Sequence, residues 1–158
     1  MLTLFQKATV FMVLALSAVT AVNAVEQVLG IDNLTRADIL RVEGNTIILG
    51  TGCRAITADT TQERADSIRL GMQKTINLRP NTHDTFVQAL KTFNITVDSL
   101  RLIRHDGTLY YADLILRSPD KVLKLDVMPS DGIAIAIRAD APLYVNTTLL
   151  AERGENIC

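Results

Sequence analysis

Apolar and polar positions recur along this chain with two different periods, and each change of period marks an element. Ile39 to Val42 and Thr46 to Leu49 flank Glu43-Gly44-Asn45, which predicts a β-hairpin. Thr60-x-x-Glu63 is a capping-box pattern with Ala65, Ile68 and Met72 behind it at helical spacing, so a helix ending near Lys74 is expected. Leu78-Arg79-Pro80-Asn81 cannot continue it, because proline removes a donor and restricts the residue before it. After Thr82, the positions Phe86, Ala89, Leu90 and Phe93 predict a second helix. Val97 to Arg104, Thr108 to Arg117 and Lys121 to Val127 then form a three-stranded meander, with turns at His105-Asp106-Gly107 and Ser118-Pro119-Asp120. Met128-Pro129-Ser130-Asp131 breaks the strand pattern and opens a third helix, GIAIAIRAD. Pro142 to Val145 is a last short strand, and 147–158 trails off. Strands and helices in this order, with hairpins, predict an α+β fold: a mixed, largely antiparallel sheet with about three helices.

The N-terminal stretch follows neither period. Between Lys7 and Glu26 run 18 uncharged residues, closed by Val22-Asn23-Ala24 with small residues where a signal peptidase needs them. One reading is an export signal cut after Ala24, leaving Val25 as the mature N-terminus. The other is a retained anchor touching the membrane through residues 8–25, at the short end of the roughly 17–25 residues that span a bilayer. Both put the domain in a secreted or extracytoplasmic setting. The expected organisation is signal or anchor 1–24, tether 25–37, domain 38–150 and tail 151–158. Cys53 and Cys158 are an even pair that an oxidising compartment would allow to bridge; a small buried residue plus a free tail thiol is the alternative. Asn33, Asn94 and Asn146 open glycosylation-type triplets of a kind that is common by chance.

Composition narrows the chemistry. The 158 residues carry 16 basic and 17 acidic side chains, a net charge of −1, and no tryptophan. Loss of residues 1–24 would remove Lys7 and no acid, taking the charge to −2. A whole-surface grip on polyanions is therefore excluded, and any nucleic-acid function rests on a local site. No Gly-rich phosphate loop, HExxH, CxxC or GxSxG is present. The polar residues left to explain are Arg79, Thr82, His83, Asp84, Asp126, Ser130, Asp131 and Arg138. Thr82 and Ser130 stand where N-cap hydroxyls belong, and Asp84 and Asp131 where the helix dipole favours an acid. Should the two helix starts lie side by side, His83, Asp84, Asp126 and Asp131 converge. Carboxylates with an imidazole suit Mg²⁺ or Mn²⁺, which would polarise a phosphoryl oxygen while an arginine offsets its charge.

Arg79-Pro80-Asn81-Thr82-His83-Asp84, then Asp106-Gly107-Thr108-Leu109-Tyr110-Tyr111-Ala112, then Asp126-Val127-Met128-Pro129-Ser130-Asp131-Gly132 through Arg138 and Ala141-Pro142-Leu143-Tyr144-Val145, resemble the bifunctional nuclease family over roughly residues 38–150. The resemblance implies an α+β domain that often self-associates, with DNase and RNase activity in some members. It implies His83, Asp84 and Asp131 as catalytic groups, Asp126 and Asp131 as metal holders, and Arg79 and Arg138 as phosphate contacts. Nucleic acid and a second copy of the chain are the implied partners. The chain departs from the family pattern at Met128, where an arginine is usual, at Gly132 in place of alanine, and at Glu63-Arg64-Ala65, which carries one extra residue. A non-catalytic binding or oligomerisation domain of the same fold, in which these residues cap helices and brace an interface, is the competing expectation.

Overall fold

The computed structural model describes residues 33–158, so the signal or anchor and the Val25 terminus lie outside the described residues. Eight strands form one sheet in the order β6-β5-β4-β7-β1-β2-β3-β8. They are β1 (Leu34–Glu43), β2 (Thr46–Thr51), β3 (Arg54–Asp59), β4 (Thr96–His105), β5 (Tyr110–Arg117), β6 (Val122–Val127), β7 (Leu143–Asn146) and β8 (Glu155–Asn156). Among the described residues only β4 and β7 pair in parallel. The helices are α1 (Gln62–Met72), α2 (Thr82–Thr92), α3 (Pro129–Arg138) and α4 (Thr147–Arg153). The fold is α+β with a mixed, mostly antiparallel sheet, as expected, but with four helices among the described residues.

The two halves of the sheet share β1. Leu34 to Ala37 pair with β7, and Asp38 to Glu43 pair with β2. A register shift between Ile39 and Arg41 turns the strand, so Ile39 and Val42, three residues apart, both pack on the core while Leu40 is exposed. The sheet thus begins at Leu34, inside the stretch read as a tether. At the other end, α4 buries Leu149 and Leu150, β8 pairs with β3, and Cys53 is disulfide-bonded to Cys158. Residues 147–158 are therefore ordered structure, and the bridge is the outcome of the two thiol readings. Asn146 caps α4 by accepting from the Thr148 and Leu149 amides, while Asn33 and Asn94 hold left-handed backbone. Each glycosylation-type asparagine so has a local backbone role.

α3 packs on β4 and β5 and carries α1 and α2 on its outer side. Its Ile133, Ala134, Ile135 and Ala136 are all buried, which is why its sequence is apolar almost all round. Approach to the sheet is close: a Cβ on Gly132 would sit 2.4 Å from Leu100 Cδ1 and 2.9 Å from Val127 Cγ2, so those side chains would have to shift to admit one. That contact accounts for the departure from the family's alanine.

Candidate functional site

Helix starts set the positions of the polar residues, and two of the three caps differ from expectation while the third shifts by one. α2 is capped by Asn81, not Thr82. Asn81 Oδ1 accepts from the Asp84 amide at 3.0 Å, and Asp84 Oδ2 accepts from the Asn81 amide at 2.9 Å, a complete capping box. Asparagine and threonine stand side by side here, and the acid three residues past Asn81 decides between them. Thr82 is left exposed on the first turn. α3 has Met128 at its cap position with no side-chain bond and Pro129 next, so Ser130 is buried inside the helix and caps nothing. α1 starts one residue later than the Thr60–Glu63 pattern, with Thr61 as its cap.

The capping box fixes a chain of hydrogen bonds. With Asn81 Oδ1 committed to the Asp84 amide, Asn81 Nδ2 donates to Ser67 Oγ at 3.0 Å. Ser67 Oγ lies 2.9 Å from His83 Nδ1, and since the Asp131 carboxylate facing the other ring nitrogen can only accept, Ser67 donates to Nδ1. His83 then carries its proton on Nε2, which lies 3.4 Å from Asp131 Oδ1. Arg64 Nε donates to the same oxygen at 2.7 Å. Burial holds the His83 imidazole below its ordinary value and the Arg138 charge adds to this, against the opposing pull of Asp131 and Asp84. The ring is neutral at pH 7, and its contact with Asp131 is a hydrogen bond and not an ion pair.

A second pair lies beside the first. Arg138 Nε donates to Asp84 Oδ1 at 2.6 Å and Nη1 to the Ala134 carbonyl at 2.9 Å, with both side chains about nine-tenths buried. Gly71 makes room for the guanidinium, since a Cβ there would stand 2.9 Å from Nη1. Burial pushes the Asp84 carboxyl up, but the bond from Arg138 and the Asn81 amide carry it below its ordinary value. Arg138 Nη2 is buried without an acceptor among the described residues.

Three of the four residues expected to converge do so: His83, Asp84 and Asp131, with Arg138 among them. Asp126 does not. Val127 faces Gly132 of α3, so Asp126, one residue before it in β6, points from the opposite face of the sheet, where it stands in register with Asp113. Arg79 is exposed ahead of α2, and among the described residues no hydrogen bond or ion pair joins it to the cluster. Arg64, Ser67 and Asn81 were not singled out from sequence. The available signal was Ser67, a polar side chain beside Ile68 on the buried stripe of α1, with Arg64 one turn before it.

The donor set does not fit a divalent ion as it stands. Each carboxylate already gives Oδ1 to an arginine, and among the described residues no three His, Cys, Asp or Glu side chains form a group able to hold a metal. The Asp106-Gly107 motif is explained by its turn: Asp106 accepts from the Thr108 and Leu109 amides and from the Tyr111 hydroxyl, and Gly107 holds a φ of 102°. Those bonds hold the Asp106 carboxyl far below the usual carboxylate range.

A model of the bifunctional nuclease domain matches residues 54–157, a stretch that contains α1, α2 and α3 and every member of the polar network. The chain is also similar to two proteins of Mycobacterium tuberculosis, the uncharacterized proteins MT1877 (strain CDC 1551 / Oshkosh) and Rv1829 (strain H37Rv). Each is 33% identical over 93 residues, covering 59% of this chain and 55% of the relative. The chain so spans about half the length of the curated relatives it matches. With the order and spacing of the motifs, the match over 54–157 makes this chain a member of the bifunctional nuclease domain family.

Proposed function

We propose that this chain hydrolyses phosphodiester bonds of DNA or RNA at the rim where Arg64, His83 and Asp131 meet. The observation that carries this is Asp131, which is about one-third exposed (31%) while its Oδ1 lies within reach of both Arg64 Nε and His83 Nε2. A cation, a carboxylate and a neutral imidazole at one accessible point are what an in-line attack on phosphorus needs. Arg64, also partly exposed, transfers its fork from Asp131 to a phosphate oxygen. Asp131, freed, takes the proton of the attacking water as its oxygen bonds to phosphorus, and His83 donates Nε2–H to the sugar oxygen that leaves as the opposite P–O bond breaks. Asp84 and Arg138 hold the His83 helix against α3 and touch no substrate at the rim. Arg79, on the exposed approach to α2, meets a neighbouring phosphate. Asp126 has no part in this site, and no step is assigned to a metal.

The setting that goes with this activity is extracytoplasmic, supported by the signal-like residues 1–24 and by a disulfide that an oxidising compartment sustains. Self-association completes the proposal, on family resemblance. One observation favours a second reading: His83 and both carboxylates already have partners within the fold, as in a binding domain whose network only braces three helices. Incubating the purified protein with DNA and RNA oligonucleotides, with and without EDTA, separates the two. Cleavage that persists in EDTA is the expected result. Retention of labelled oligonucleotide on a gel without cleavage would replace hydrolysis by binding.

A further inference from the structure

A cleft of about 340 Å³ opens between the end of α1, residues 74–80 and α2. We propose that it binds a single nucleotide unit, a base with one phosphate. Leu70, Ile76, Pro80 and Val87 supply an apolar wall, with Ile76 62% exposed and thus uncovered by the rest of the fold. Three basic side chains line it: Arg138 is buried against Asp84 and Lys74 is paired with Asp140, which leaves the charge of Lys91 open to a ligand. The carboxylate in the lining, Asp84, is already committed to Arg138 and the Asn81 amide. Lys91 has no ion pair or hydrogen bond among the described residues, and Lys74 lies on the rim bound to Asp140 and the Ile137 carbonyl. An uncovered apolar surface thus stands beside one unpaired cation, Lys91, with Lys74 next to it. The volume is of the order of small-ligand sites, roughly 300–1,000 Å³. An apolar surface flanked by a free lysine suits a ligand that is flat and apolar at one end and anionic at the other. Choosing a nucleotide among such ligands rests on the nuclease reading; the cationic, apolar cleft does not.

The cleft shares Asp84 and Arg138 with the polar network but is not lined by Asp131, so binding and cleavage separate by mutation. Calorimetric titration of the full chain with adenosine 5′-monophosphate is expected to saturate, with adenosine and inorganic phosphate each binding at least tenfold more weakly. Lys91→Glu, on an exposed side chain, should weaken the nucleotide tenfold or more, and Ile76→Ser, which trims the apolar wall without adding charge, should weaken it without changing inorganic phosphate. Asp131→Asn should leave nucleotide binding unchanged even where it abolishes cleavage. A 5′-phosphorylated oligonucleotide distinguishes sources: tighter binding than its unphosphorylated form assigns the cleft to a strand end, and equal binding of the two to a free nucleotide. Adenosine binding as well as the monophosphate, or indifference to Lys91→Glu, overturns the proposal and leaves the rim reading standing.

Discussion

At the scale of the residue, Asn81 carries more than its neighbours. It caps α2 through Oδ1 and orients Ser67, and through Ser67 His83, with Nδ2. Asn81→Ala should cost about 1–2 kcal/mol, from the lost cap and the freed Ser67 hydroxyl, and Thr82→Ala should be near neutral; urea unfolding of both variants checks the order. His83 gives a pH signature. Its folded-state value lies below the ordinary 6.5, so the unfolded chain takes up that proton first. The contribution of the neutral ring is complete above about pH 6.5 and is lost as pH falls toward the lowered folded value. Stability measured from about pH 7.5 to 5 should decline in the wild type and decline less in His83→Gln. Asp84 acts in a separate, more acidic window, because its lowered carboxyl stabilises the fold above the ordinary carboxylate value and loses this only as that carboxyl protonates.

Among the elements, α3 is the piece against which α1 and α2 are set. Gly132→Ala places a methyl 2.4 Å from Leu100 Cδ1 and should destabilise by about 1–3 kcal/mol. Adding Leu100→Val should recover part of that loss, seen as non-additivity in denaturant unfolding. Most elements were legible in the sequence because their periods are clean: the hairpin, the meander and α3 stand where alternation and helical spacing put them. β3 was not. Arg54–Asp59 is short and mixed, and its strand character comes from lying between β2 and β8. The position of Asp126 was legible but was misjudged. Leu125 and Val127 alternate with Lys124 and Asp126, so strand parity alone separates Asp126 from a site that lies on the helix side. Arg64 and Ser67 were harder to see, since the only hint in α1 is Ser67 beside Ile68 on its buried stripe, and which residues it meets on α3 and α2 appears only once the helices are packed.

For the whole molecule, the bond from Cys53 to Cys158 closes a loop across 105 positions and ties β8 to the β2–β3 turn. Replacing both cysteines by serine should cost about 2–5 kcal/mol, read as a lower denaturant midpoint that the wild type reproduces when reduced. The bridge and the three-helix network occupy different parts of the fold, so this loss should leave the rim geometry intact. The rim itself rests on Asp131, where Arg64 and His83 converge at an accessible surface. The most direct measurement is single-turnover cleavage of labelled DNA and RNA by Asp131→Asn beside the wild type, with melting temperatures recorded for both. The amide keeps the size of the side chain and its helical position while removing the charge. Cleavage should fall by roughly 10²–10³-fold with little change in melting temperature, since a group acting on developing charge is lost without loss of the fold. Cleavage equal to wild type, or reduced only in proportion to the fraction unfolded, would contradict a catalytic role for this rim.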